Sequence, residues 1–189
     1  MELWRAFPWD PASGSGERFS PQYVNPIQVD GRFDLGCKPC VLYAAGTREQ
    51  ALAEKLQRYR GRRIGSEHLK EWGRAIAVVD IVLPDELVRG LTDLGDPATL
   101  LRLGVRPDRL MSWERKATQA IARLVHEAGA PGLQCWSSLR GDWTSTILFL
   151  NRVPVAQMRF GAPEIVHLTS ALLDRVAVTL GLDVARGRT

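Results

Sequence analysis

Six side chains are of types that could bind or act on a charged ligand: Arg5, Arg32, Tyr43, Glu54, Ser137 and Ser138. Arg5 lies in "LWRAF", where strand alternation sets Leu3 and Arg5 on one face. If that face is buried, the planar guanidinium is suited to a phosphate or a carboxylate, either of which it can bind bidentately. On an edge strand the same side chain would stand in water. Arg32, after the glycine turn of "DGRFD", is open to the same two readings. Tyr43 in "VLYAA" reads as a core or half-core ring whose hydroxyl needs a partner. Glu54 follows the small apolar triplet Ala51-Leu52-Ala53 and stands off the stripe formed by Leu52, Leu56 and Tyr59. A solubilising surface helix would have this arrangement, and so would a site that handles an anionic nucleotide. Ser137 and Ser138 follow Trp136 without a GxSxG elbow or a histidine–aspartate pattern. A functional serine there is expected to donate a hydrogen bond rather than attack as a nucleophile.

The charge around these residues is uneven. Residues 48–63 hold Arg48, Lys55, Arg58, Arg60, Arg62 and Arg63 against Glu49 and Glu54, a net of +4, which equals the whole-chain value. Arg58, Arg60, Arg62 and Arg63 form either a solvated face or a source of positive field for an anion site. Only Tyr59 and Trp72 are aromatic nearby, so direct nucleic-acid binding is not expected. The three cysteines comprise a CxxC of Cys37 and Cys40 and a separate Cys135. Together with the scattered His68, His126 and His167 they do not make a four-ligand set, so no metal is expected. A reduced, cytoplasmic protein is the simpler expectation. Neither a signal peptide nor a membrane-spanning apolar run is visible.

The elements that must position the six residues can be read from periodicity and punctuation. "ELWRAF" predicts a strand, followed by a long irregular stretch to about residue 30 of the kind that often covers a ligand. "CVLYAA" predicts a buried strand. Thr47, with Gln50 in the capping-box position, starts a helix from 48 to about 60. "AIAVVDIVLP" predicts a strand stopped by proline, and "LTDLGDPATLLRLGV" a turn, a short helix and another turn. From Ser112, the spacing of Ala117, Ala120, Ile121, Leu124, Val125 and Ala128 predicts a helix with one buried face. "GLQCWSS" and then two extended segments around Asn151 follow. Ser170 caps a last helix lined by Leu172, Val176 and Leu180. Neither GxGxxG nor GxxxxGK[ST] occurs. With 189 residues, 45% of them hydrophobic, no repeat and no linker, a single α+β domain over 1–189 is the expectation.

Several of these segments, in this order, resemble the RES-domain family, named for an arginine, a glutamate and a serine. "LWRAF" is similar to its opening arginine segment, "DGRF" to its glycine–arginine–aromatic turn, and "VLYAAGTREQALAE" to its strand–helix block. "LTDLGDPATLLRLGV" with "WERKATQAIARLVHEAG" resembles its middle region, and "GLQCWSSLRGDWTSTILFL" its serine segment. The resemblance covers about 3–150, with a strand and helix at about 155–181 as the tail.

It implies an ADP-ribosyltransferase (diphtheria-toxin-like) fold and a bacterial toxin that degrades NAD+ by hydrolysis or phosphorolysis. It further implies a helix-turn-helix antitoxin as partner. NAD+ would be the substrate, with inorganic phosphate as a possible co-substrate and no cofactor. Glu54, Arg5 and Ser137 would be catalytic, and Arg32, Tyr43 and Ser138 would bind substrate. Transfer of ADP-ribose to a protein is the rival activity. A non-catalytic nucleotide- or nucleic-acid-binding module is the rival outside enzymes, and its nucleic-acid form predicts steeply salt-dependent binding.

Overall fold

The structure is a computed structural model that describes residues 1–36 and 40–186. The chain opens with β1 (Glu2–Trp9), β2 (Val41–Ala45) and α1 (Arg48–Leu56). It continues with β3 (Arg63–Ile64), β4 (Lys70–Glu71), β5 (Arg74–Val82), α2 (Asp85–Gly90) and β6 (Thr92–Asp93). Three helices follow, α3 (Pro97–Leu103), α4 (Pro107–Leu110) and α5 (Arg115–Glu127), then β7 (Gly132–Trp136) and β8 (Thr144–Phe149). The chain ends with β9 (Arg159–Phe160), β10 (Glu164–Ile165), α6 (Ala171–Leu180) and β11 (Asp183–Val184). This is a mixed α+β architecture organised on central sheet strands.

The chain divides into two compact units, each assembled from segments distant in sequence. The first takes Met1, Val24–Ala44 and Val82–Arg159. In it β7 pairs antiparallel with β8, from Gly132 opposite Leu148 to Trp136 opposite Thr144, while β6 lies parallel to β7. Its core gathers Phe33, Val41, Leu94, Leu110, Ile121, Val125, Leu133, Ile147 and Phe149. Burying this apolar face of α5 against β7 follows from the helical spacing of Ile121, Ala122 and Val125.

The second unit takes Glu2–Tyr23, Ala45–Ile81 and Phe160–Thr189. Here β5 lies between β10 and β1, and β4 folds back on β5 as a hairpin. Phe7, Ala77 and Val79 form a small core on this sheet with Trp9 and Phe160 against it. The helix α1 packs on β1 and on α6, with Leu52, Ala53 and Leu56 fully buried. A separate parallel pair joins β3 to β11.

Five local expectations need correction. Thr47 does accept from the Gln50 N–H, at 3.1 Å, but the Gln50 side chain accepts from Gly46 at 3.1 Å rather than closing a box on Thr47. The helix ends at Leu56 and tightens into a 3-10 turn over Gln57–Tyr59. Ser170 occupies the N-cap position of α6 without making a side-chain cap bond. After Asn151 the chain forms a 3-10 turn, Val155–Gln157, before the two-residue β9, because Pro154 starts a turn rather than extending a ladder. The short β6 inside "LTDLG" pairs only through β7, a long-range partner that local pattern does not announce.

Candidate functional site

In the second unit, β1 carries Arg5 and α1 carries Glu54, and the helix lies against the strand. Alternation along β1 buries Leu3 and Phe7 and sets Arg5 between them on the same face. The residue as a whole is half-buried, but its guanidinium end is sunk among protein atoms. Desolvation lowers its pKa from 12.5 to about 10. Arg5 donates from Nη1 to the Pro21 carbonyl at 2.9 Å, and its Cζ lies 5.6 Å from the Phe7 ring centroid. No carboxylate pairs with it among the described residues. A desolvated cation held by one neutral carbonyl and one ring face has donors to spare for an anion.

Glu54 is half-buried at the end of a short internal chain of hydrogen bonds. Gln50 is fully buried, accepts from the Gly46 N–H, and donates from Nε2 to Glu54 Oε1 at 2.9 Å. The turn that starts α1 thus fixes the carboxylate one helical turn later. The sequence placed Gln50 only in the cap and did not show its bond to Glu54, although the i, i+4 spacing on a helix was the available signal. Arg48, the first residue of α1, packs its guanidinium 5.0 Å from the Trp4 ring centroid and pairs with Glu164.

In the first unit, Tyr43 is half-buried against the core and its hydroxyl is committed twice. It donates to Asp34 Oδ1 at 2.8 Å and accepts from the Phe33 N–H at 2.9 Å. Burial, then the Asp34 charge and hydrogen bond, raise its pKa well above the usual phenol value. The Gly31 N–H donates to the other Asp34 oxygen at 2.6 Å. A Cβ on Gly31 would collide with both the Asp34 carboxylate and the Tyr43 hydroxyl, so the "DGRFD" glycine is required by this network. What Tyr43 keeps for a ligand is ring, not hydroxyl.

Arg32 donates from Nη2 to the Leu110 carbonyl at 2.7 Å and lies 5.2 Å from the Phe33 ring centroid, leaving its buried Nε without a hydrogen-bond partner. The two serines differ. Ser137 is buried, its Oγ accepts from the Leu139 N–H at 3.2 Å, and its own N–H donates to the Trp143 carbonyl at 2.7 Å. It shapes the loop between β7 and β8. Ser138 is half-buried and makes no side-chain hydrogen bond among the described residues. Arg5 and Glu54 therefore belong to one unit, and Arg32, Tyr43, Ser137 and Ser138 to the other.

Among the described residues no group of three or more His, Cys, Asp or Glu side chains could hold a metal. Cys37 of the CxxC lies outside the described residues; Cys40 is half-buried with Sγ 3.7 Å from the Pro26 carbonyl. No helix among the described residues is long and apolar enough to cross a membrane.

The family model for the RES domain matches residues 2–169, nearly the whole chain. The protein belongs to the RES domain family. The match runs past the expected 3–150 through β10, to the start of α6. Comparison with curated proteins finds no match. Among solved structures, a chain from the crystal structure of the M. tuberculosis MbcT–MbcA toxin–antitoxin complex is similar in fold. The TM-score is 0.58 at 14% identity, over 96% of this RES chain and 88% of that one.

Proposed function

We propose that this RES protein is a toxin of a toxin–antitoxin pair that consumes NAD+ by cleaving the nicotinamide–ribose bond, within an ADP-ribosyltransferase-like fold. The observation that carries the reading is that a strand and the helix packed on it, in one unit, carry a desolvated Arg5 with no carboxylate partner among the described residues and a Glu54 held by Gln50. Family membership and the fold shared with a chain of a toxin–antitoxin complex support it.

In this reading Arg5, whose guanidinium keeps unused donors, meets the pyrophosphate. Cleavage develops oxocarbenium character at the anomeric carbon, and Glu54 stabilises that charge and holds the ribose hydroxyls. The C–N bond breaks with its electron pair passing to the pyridinium nitrogen, so nicotinamide leaves neutral and needs no strong general acid. Water, or phosphate, forms the new bond to carbon; water then releases a proton to solvent. Ser137, which shapes the β7–β8 loop, stays the first of the two serines proposed to donate a hydrogen bond, with Ser138 second. An antitoxin restrains the activity.

Nicotinamide release and NAD+ loss, followed with and without phosphate, test the reading. Loss in both buffers establishes a glycohydrolase, and loss only with phosphate, giving an ADP-ribose phosphate, a phosphorylase. No loss in either buffer removes the reading. Label from adenylate-labelled NAD+ on a protein would instead establish the transferase.

A further inference from the structure

Away from these residues, α3, α4 and α5 of the first unit enclose an open groove of about 380 Å³. Its floor is apolar, made by Val105, Ala117, Ala120, Ile121 and Leu124, and Arg106 and Arg109 stand at its edge. The same segment carries Leu101 at 84% exposure, Trp113 at 82% and Leu124 at 39%, three of the seven exposed large apolar side chains among the described residues. Of these Leu124 lines the groove itself, and exposed large apolar side chains close together in one segment are a mark of interaction surfaces.

The segment that forms the groove is strongly positive, and two of its arginines, Arg106 and Arg109, line the groove. Residues 101–124 hold six cations, Arg102, Arg106, Arg109, Arg115, Lys116 and Arg123, against Asp108 and Glu114, a net of +4. All six cations are exposed. Arg106 is paired with Asp108 at 3.0 Å, while the other five have no ion pair among the described residues.

We infer that this groove takes an acidic amphipathic helix from a partner protein. Apolar anchors spaced at i, i+3, i+4 and i+7 would fill the floor, and flanking carboxylates would meet the arginine rim. Other occupants fit less well. A second copy of this chain would bring the same positive rim and be repelled. A lipid surface is served by a convex or flat apolar face, not by a groove that encloses side chains. A nucleic acid would gain from the rim but not from an apolar floor. The inference goes beyond the proposed reaction and does not depend on it.

The test uses the full chain and two labelled helical peptides with the same leucine stripe, one with glutamate and one with lysine at every other position. In fluorescence anisotropy the glutamate peptide is expected to bind saturably, and the lysine peptide about tenfold more weakly or worse. Ala120→Arg separates groove docking from bulk attraction. It adds positive charge but blocks the floor, so docking weakens whereas simple charge attraction strengthens. Arg109→Glu should weaken glutamate-peptide binding without unfolding, as read by circular dichroism. Equal binding of both peptides, tighter binding by Ala120→Arg, or uptake onto phosphatidylserine vesicles that is lost in the same variants would overturn the inference. So would a dimer in sedimentation that either substitution disrupts. Nicotinamide release by the two variants is read separately, so failure of the groove and failure of the NAD+ reading are distinguishable.

Discussion

Glu54 and Arg5 illustrate two ways a side chain is prepared before any ligand arrives. Glu54 is held by Gln50, so replacing that amide with a second carboxylate is informative. In Gln50→Glu one oxygen can still accept from Gly46, but the other faces the Glu54 carboxylate and the two must share a proton. If catalysis needs Glu54 ionised, the acid limb of the pH–rate profile moves up by about one pH unit or more. A uniformly reduced profile with an unmoved limb would mean that Gln50 supports only the fold. Arg5 is prepared by desolvation. Because its folded pKa, about 10, lies below the unfolded value, the folded chain carries a cost throughout the neutral range that fades only as pH rises past 10. In the proposed reading a bound pyrophosphate would offset that cost. In a Glu54→Gln background, where turnover is removed, NAD+ should raise the thermal midpoint, and Arg5→Met should cancel most of the rise. An equal rise in both would remove Arg5 from the site.

The strand and helix that carry these residues were legible because their signals are local. Thr47 before an apolar stripe announces α1, and the 3, 4, 7 spacing from Ala117 announces α5. Neither β6 nor the β3–β11 pair announces itself, since two residues have no periodicity and their partners are distant. Trp72 in the β4–β5 turn hides for another reason: it takes φ 55°, a conformation that Asn or Gly normally supplies. Tyr43 shows the same limit. The sequence says that its hydroxyl needs a partner, but Asp34 and the Phe33 N–H are brought to it only by the fold. Tyr43→Phe should therefore cost about 1–3 kcal/mol of stability by leaving Asp34 and Phe33 short of a partner. The wild-type phenol is raised in the folded state, so its contribution is complete below about pH 10 and is lost as pH climbs further. Urea unfolding from pH 8 to 11 should show a steeper alkaline decline in wild type than in Tyr43→Phe; parallel curves would show that the titration of Tyr43 is not linked to folding.

For the molecule as a whole, composition and charge narrowed the options without selecting one. The net +4 is consistent with anionic ligands in general, and no phosphate loop points to a familiar nucleotide fold. The order of weak motifs is what carried the family, because each segment alone is common and only the series is informative; the match over residues 2–169 agrees with that series. The basic groove of α3 to α5 escaped the sequence, because its apolar floor forms only when three helices meet. The central claim, that an NAD+-cleaving centre is organised around Glu54, is tested most directly by one comparison. Purified wild type and Glu54→Gln, matched in circular dichroism and thermal midpoint, are incubated with NAD+ in phosphate buffer while nicotinamide is measured. The account predicts steady release by wild type and a loss of at least about a hundredfold in the variant. Equal release by the two proteins would contradict it.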